Sequence, residues 1–479
     1  MFKVVIGLEV HCELTTNTKN FSSAPNKFTE YPNEYVATVD LGLPGILPVA
    51  NKEACRKALK TAMALHCETP DEVIFDRKNY FYADLPKGYQ ITQNYKPMGV
   101  NGYLDIMVDG KVKRVDIHDL HLEEDTASLE HFPKYSLIDY NRSGIPLMEI
   151  VTEPCLSSAD EAVTFFEDLR DVFLFLGVSE AKSNYGQMRC DVNISLMKED
   201  ATELGTKVEM KNINATASIR QAIEYEIKRQ SEILLKGEKV VQETRRIGED
   251  GKTYSMREKV DALDYKYFIE PNIPATPISD ELKYEIKCEL PELKLDRYLK
   301  YIEQYKIDSY NAEILSKDKE ISDYFEEVLS YDSDVDLSVN FVTSTVLGTL
   351  NKLEIDIKDF FITPKMLSEV IKLVHENKIS LDHARKIIYE AIEKKIDPCE
   401  LIAKQNLHQI NDESELLALI SSIMEENKEI VRQYIEEGNM SAINFFIGQT
   451  MKKSNRQANP NMSKEIIIKE LERRKADEK

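Results

Sequence analysis

Between Val4 and Leu14 the chain alternates: Val4, Ile6, Leu8, Val10, Cys12 and Leu14 share one parity, and Glu9, His11 and Glu13 share the other. Successive side chains of a strand point to opposite faces, so this is a half-buried strand with carboxylates and an imidazole on its open side. The form returns downstream. Met188, Cys190, Val192, Ile194 and Leu196 alternate with Arg189, Asp191, Asn193 and Ser195, and the segment Thr206 to Lys211 puts Lys207, Glu209 and Lys211 on one face. Such segments require a sheet with one apolar and one charged face. The charged face is either solvated surface or a floor that holds something.

The stretch from His118 to Pro154 bears on that choice. It carries His118, His121, Glu123, Glu124, Asp125, Arg142 and Glu149, the last inside the apolar run Ile145 to Val151. A carboxylate there is costly to bury without a cation or hydrogen-bond donors. Leu120 and Leu122 set the core parity, and His121 and Glu123 face the other way. Glu124 falls on the core parity: either the strand has ended, or an inward carboxylate needs a partner, for which a metal is the natural choice because clustered carboxylates otherwise take up protons.

Around these strands the chain alternates helices and turns. A helix is predicted from about Lys52 to His66, after turns at Gly42, Pro44, Gly45 and Pro48. The run FDRKNYFYADLPKGYQITQNY interleaves aromatics with Arg77, Lys78 and Lys87, a composition that stacks on nucleic acid or simply packs. Ser158 with Glu161 is a capping-box pair and Gly177 a terminator, enclosing a helix whose stripe Val163, Phe166, Leu169, Val172 and Phe173 is core. A helix from about Thr216 to Lys236 precedes a hairpin turning at Asp250–Gly251, which presents Arg245, Arg246, Lys252 and Arg257. Beyond Pro271, Pro274 and Pro277 the pattern is helical, with a further break near Gln405 to Asp412. The fold class is therefore α+β: a β-rich domain with an antiparallel or mixed sheet over 1–290, an all-helical domain over 291–405 and a small helical tail over 406–479.

At 479 residues the chain is long enough for roughly three domains. No apolar run approaches the ~18 residues of a membrane span, and the amino terminus lacks a signal peptide's apolar core. A cytoplasmic protein with no membrane partner is expected. Seven dispersed cysteines without a C-x-x-C read as reduced thiols. The net charge of −22 excludes a surface that is basic throughout. Yet Ser441 to Lys479 holds nine Lys/Arg against five Asp/Glu, so the end of the chain is electrostatically distinct.

Carboxylates with a histidine, spread over several strands and facing one way, suit a divalent cation. Oxygen ligands favour Mg²⁺, and the imidazole leaves Mn²⁺ or Zn²⁺ open. Arg189, Lys207 and Lys211 beside Asp191 and Glu209 add the cations that a nucleotide phosphate requires. Neither G-x-x-x-x-G-K-[ST] nor G-x-G-x-x-G occurs.

The strings IGLEVHCEL, LGLPGILPV, FDRKNYFYADLPKGYQITQ, HLEED, SLIDYNRSGIPLMEIVTEP, MRCDVNIS, GTKVEMKNIN, QETRR and MREKVDALDYKYF, in this order, resemble the B subunits of aspartyl/glutamyl-tRNA amidotransferases; the helical region and RQANP (Arg456 to Pro460) are similar too. The resemblance implies a catalytic cradle domain, a helical domain and a tRNA-contacting tail. It implies as partners the family's A and C subunits, the former a glutaminase, and as substrates ATP and Glu-tRNA(Gln) or Asp-tRNA(Asn). The side-chain carboxylate is phosphorylated, then amidated by ammonia delivered from the glutaminase. Carried onto matching positions, Glu9, His11, Glu124, Glu149, Asp191 and Glu209 form the Mg²⁺ and activation site. Glu124 and Glu149 are then catalytic, with Lys78 and Lys87 lining the ammonia route. The strand and hairpin faces, rather than the resemblance, make Arg189, Lys207, Lys211, Arg245 and Arg257 the expected nucleotide contacts. Three departures stand out. Where many members carry zinc-binding cysteine pairs, this chain has FSSAP and VATVDLG, so no zinc is expected. HLEED continues as Thr126, Ala127 and Ser128, and Ser183, Asn184, Tyr185, Gly186 and Gln187 precede MRCD. A paralogue that binds tRNA or partner subunits without catalysing, and an unrelated metal-dependent phosphoryl or nucleotidyl transferase, are the competing classes.

Overall fold

The computed structural model describes residues 2–258, 264–405, 412–437, 439–454 and 457–477. Eight segments pair into one mixed sheet: β1 (Phe2–Glu13), β2 (Gly99–Val108), β3 (Lys111–Glu124), β4 (Pro146–Thr152), β5 (Met188–Lys198), β6 (Val208–Ile213), β7 (Glu243–Ile247) and β8 (Thr253–Glu258). Their order across the sheet is β8-β7-β6-β5-β1-β4-β3-β2. Only β6 and β7 pair parallel; the other neighbours are antiparallel. The fold is α+β.

Parity decides which side is inside. Ile6, Leu8, Val10 and Cys12 of β1, Leu120 and Leu122 of β3, Met148 and Ile150 of β4, and Cys190, Val192 and Ile194 of β5 are all buried in one core. Three helices supply its other half: α1 (Lys52–Ala64), α2 (Ala159–Leu176) and α3 (Thr216–Leu235). In α2 the Ser158 hydroxyl accepts from the Glu161 amide at 3.1 Å, and the Glu161 carboxylate accepts from the Ser157 amide at 2.6 Å. A cap of this kind contributes about 1 kcal/mol. Gly177 closes the helix in the left-handed region at φ 64°. Burial of Phe165, Phe166, Leu169 and Phe173 fixes its roll, each side chain contributing about 1.5–3 kcal/mol. The predicted hairpin is present as β7 and β8, with Gly251 at φ 75° in its turn.

Smaller strand pairings stand apart from this sheet. Strands Asp76–Asn79 and Tyr89–Thr92 form a ribbon with Phe268–Ile269, and Ser128–His131 pairs with Ser136–Asp139.

Contacts divide the chain into a unit ending at Asp296 and a second beginning at Arg297. Within the second, Tyr301, Phe325, Phe341, Leu367 and Ile388 belong to one core, and Leu416, Ile420, Phe446, Ile467 and Leu471 to another. The latter is built by helices Glu413–Glu426, Lys428–Glu437, Ser441–Lys453 and Pro460–Asp477. The expected break between 405 and 406 adjoins 406–411, outside the described residues. Among the described residues no helix is long and apolar enough to cross a membrane.

Candidate active site

Register assembles the site. On the uncovered face His121, Glu149, His11 and Arg189 stand opposite one another across β3, β4, β1 and β5. The neighbouring row runs through Asp119, Val151, Glu9 and Asp191. The first row takes one polar side chain from each of the four strands.

His11 and Glu149 of that row, with Glu123 two residues beyond His121 on β3, offer ligand atoms within 4.8 Å of one another. His11 Nε2 lies 3.5 Å from Glu149 Oε2 and 3.9 Å from Glu123 Oε1. His121 Nε2 lies 2.9 Å from Glu149 Oε2, and its Nδ1 3.1 Å from Asp119 Oδ1. Burial pushes the His121 imidazole down, but Glu149, Asp119 and Glu123 outweigh it and the net shift is well upward. Burial likewise raises Glu149, and the two imidazoles reverse this to hold it well below the carboxylate range. Glu123 moves the other way, raised by burial and then by Glu149. The Lys78 ammonium belongs to this neighbourhood: burial disfavours its charge, but Glu123 and Glu149 raise it overall.

A second group, Glu9, Asp191 and Glu209, also brings ligand atoms within 4.8 Å. Lys211 Nζ stands 2.7 Å from Asp191 Oδ2 and 3.2 Å from Glu209 Oε1. Asn193 Nδ2 donates to Glu9 Oε1 at 2.8 Å. Burial, then Glu149, raises Glu9 despite that bond.

Both groups suit a divalent cation. One carboxylate in each, Glu123 and Glu9, is raised by burial and by Glu149, a state that a cation relieves. In addition, His11 Nδ1 is buried with no hydrogen-bond partner among the described residues, while its Nε2 faces the carboxylates of Glu149 and Glu123. Beside them Asp125 is gripped by Arg189 at 3.1 Å and Arg142 at 3.4 Å. Glu13, next on the same face, is pushed up to about 7 by burial and Asp125.

The predicted residues therefore separate. The structure brings Glu9, Asp191 and Glu209 together, and His11 with Glu149. Glu124 stays on the inner parity: β3 continues to it, and its buried carboxylate pairs with Lys87 and accepts from the Ile91 amide at 2.9 Å. Arg189 and Lys211 flank the clusters, and Lys207 is exposed just before β6. Arg245 faces away from the clusters, among Glu243, Thr253 and Glu226. The Arg257 side chain lies outside the described residues. Glu123 and His121 stand in the first cluster although the ligand set drawn from the resemblance omits both; their parity in the run His118 to Glu124 is the signal that marks them.

An α+β protein whose sheet turns a floor of carboxylates, histidines and flanking cations away from its helices is the class these features define. The chain belongs to the GatB/GatE family: residues 4–284 match the GatB/GatE catalytic domain, and residues 323–471 match the family described as the GatB domain. It is 43% identical over 475 residues to the B subunit of the aspartyl/glutamyl-tRNA(Asn/Gln) amidotransferase of Halalkalibacterium halodurans, covering 99% of this chain and 100% of that one. The protein of the same name from Staphylococcus saprophyticus is 43% identical over 474 residues, again covering 99% of this chain and 100% of the relative.

Proposed function

We propose that this chain is the B subunit of a tRNA-dependent amidotransferase and carries its synthetic site. The reaction has two parts. A side-chain carboxylate oxygen of Glu-tRNA(Gln) or Asp-tRNA(Asn) bonds to the γ-phosphorus of ATP, and the bridging P–O bond breaks to release ADP. Ammonia then attacks the activated carbonyl carbon, phosphate leaves, and the nitrogen sheds a proton.

The observation that carries this reading is the pair of carboxylate groups on one sheet face. His11, Glu123 and Glu149 would hold one Mg²⁺, and Glu9, Asp191 and Glu209 a second. Bound Mg²⁺ supplies charge neutralisation and alignment of the transferring phosphoryl group. Arg189 and Lys211, already at the rim, would meet phosphate oxygens, with Lys207 and Arg257 as further candidates. Lys78 on the outer side and the Lys87–Glu124 pair on the inner side of the β3 end would line the route of ammonia from the glutaminase, the A subunit. A small C subunit would complete a cytoplasmic heterotrimer, and the basic tail would meet tRNA. Retention of both groups argues against a member that binds without catalysing.

The test is ATP hydrolysis by the chain reconstituted with its glutaminase and small partner subunits, with and without Glu-tRNA(Gln) or Asp-tRNA(Asn). Stimulation by the charged tRNA is expected. An active glutaminase with no stimulated hydrolysis by either tRNA would overturn the reading.

A further inference from the structure

The segment Glu243 to Arg246 places a threonine, not an arginine, on the carboxylate floor. β7 runs parallel beside β6 with Thr244 opposite Glu209, which sends Arg245 to the other face. Thr244 is 2% exposed, and its hydroxyl donates to Glu209 Oε2 at 2.9 Å. The Lys211 ammonium stands at the other oxygen, Glu209 Oε1, at 3.2 Å. Behind the strand Arg245 is clamped: Nη1 meets Glu243 Oε1 at 2.6 Å, Nε meets Thr253 Oγ1 at 2.8 Å, and Nη2 meets the Thr253 carbonyl at 2.7 Å. Arg245 Nε also lies 3.1 Å from Oε1 of Glu226, a fully buried residue of α3 that accepts from Arg229 and Gln230 as well. Charge-assisted bonds of this number, out of water, hold a strand against sliding or rotation.

We propose that Thr244 is a positioning residue of the Glu9–Asp191–Glu209 site. Its hydroxyl fixes the Glu209 carboxylate in the orientation that receives a divalent cation, and the buried Arg245–Glu226 pair fixes Thr244. The proposal rests on reading that cluster as a cation site. A donor that holds a metal-ligating carboxylate raises affinity by orienting it before the metal arrives, and its removal costs about 10- to 100-fold in metal affinity.

The test titrates the full-length chain with Mn²⁺ alone, following free Mn²⁺ by electron paramagnetic resonance. Thr244→Val keeps the shape and loses the donor; Thr244→Ser keeps the donor; Glu209→Gln removes the ligand. Thr244→Val is expected to weaken, by about 10-fold or more, the same class of Mn²⁺ sites that Glu209→Gln abolishes, and Thr244→Ser to bind close to wild type. Wild-type binding by Thr244→Val overturns the proposal, as does equal weakening by Ser and Val, which would mean packing and not donation. Wild-type binding by Glu209→Gln is a separate failure: it removes Glu209 from the cation site, and the proposal with it.

Discussion

His121 Nε2 lies 2.9 Å from Glu149 Oε2, and the same carboxylate oxygen is 3.5 Å from His11 Nε2, so one buried carboxylate on β4 serves imidazoles from the strands on both sides. Glu149 is thereby the hinge of the first cluster, as Asp191 is of the second. Replacing Glu149 by Gln or Asp191 by Asn preserves volume and removes charge. Each is expected to lower tRNA-stimulated ATP hydrolysis by about 10- to 100-fold or more, the range for disturbing a metal's ligand set. The glutaminase activity of the partner should fall less. Unchanged hydrolysis in both variants would take these residues out of the site.

Lys87 and Glu124 form an ion pair with side chains 7% and 2% exposed. Removing one member strands the other without water, a loss of about 3–5 kcal/mol. Lys87→Met is therefore expected to lower the urea midpoint sharply, and the double variant Lys87→Met/Glu124→Gln to recover most of it. Equal losses in single and double variants would show that the pair is not coupled.

What a sequence reveals of such a site depends on how local each signal is. Parity is a property of consecutive residues, so the uncovered face of β1, β3 and β5 is legible down to His121 and Glu123. The ends of α2 are legible because Ser158 and Gly177 act on their own backbone. Strand order is different: nothing in residues 2–13 says that β1 will sit between β4 and β5, and that neighbourhood alone divides the carboxylates into two groups. Arg245 shows the same limit. In a Thr-Arg-Arg run the outward residue is set by pairing with β6, so from the sequence the buried arginine passes for a ligand contact and the threonine does not stand out. The inward Glu124 is legible as a carboxylate in need of a partner, but Lys87 is distant in sequence.

Asp168, on the buried side of α2, offers a pH test away from the site. Burial, then Asp171, pushes its carboxyl up to about 6 against the pull of Lys294. Its ordinary value is 3.8, so between these limits the unfolded chain has released a proton that the native chain still holds. Stability must fall as pH rises through that window. Asp168→Asn abolishes the titration, and Lys294 keeps Asp171 at 2.6 Å. The variant is expected to be more stable by about 1–2 kcal/mol at pH 7 and no more stable than wild type below pH 4. Denaturant melts at the two pH values check this; a gain of equal size at both would refute the assignment.

Zinc is expected to be absent from the purified protein. In VATVDLG the carboxylate of Asp40 is met by the Lys19 ammonium at 3.1 Å, both side chains being buried, and the same ammonium donates to the Tyr140 carbonyl at 3.1 Å. An ammonium in that position repels a dication and already joins the segments. Elemental analysis of the chain after mild chelation is the check, and stoichiometric retained zinc would show a site built from other ligands.

The tail is the last place where charge separates two readings. A chain at −22 repels tRNA at long range, yet Ser441 to Lys479 holds nine basic residues against five acidic ones. Part of that charge is already engaged. Arg473 and Arg474 both bond Glu470, at 2.7 and 2.9 Å, and Lys453 pairs with Glu426. Arg474 also reaches Glu425 at 2.8 Å, while the Arg473 side chain is 61% exposed. Lys475 lies over the Tyr434 ring, and Arg456 falls outside the described residues. If the remaining charge neutralises phosphates, affinity for tRNA must fall steeply with salt as counterions return to the RNA. The tail's core of Leu416, Ile420, Phe446 and Ile467 is made by its own helices, so ending the chain at Gln405 leaves the core of Tyr301, Phe325 and Leu367 intact. The shortened chain, in complex with its partners, is expected to remain folded and to use ATP, with weaker tRNA binding and a shallower salt slope. Dissociation constants for full-length and shortened complexes across a salt series decide it. Equal affinities with equal slopes would mean that tRNA is held wholly by the sheet domain and the first helical core.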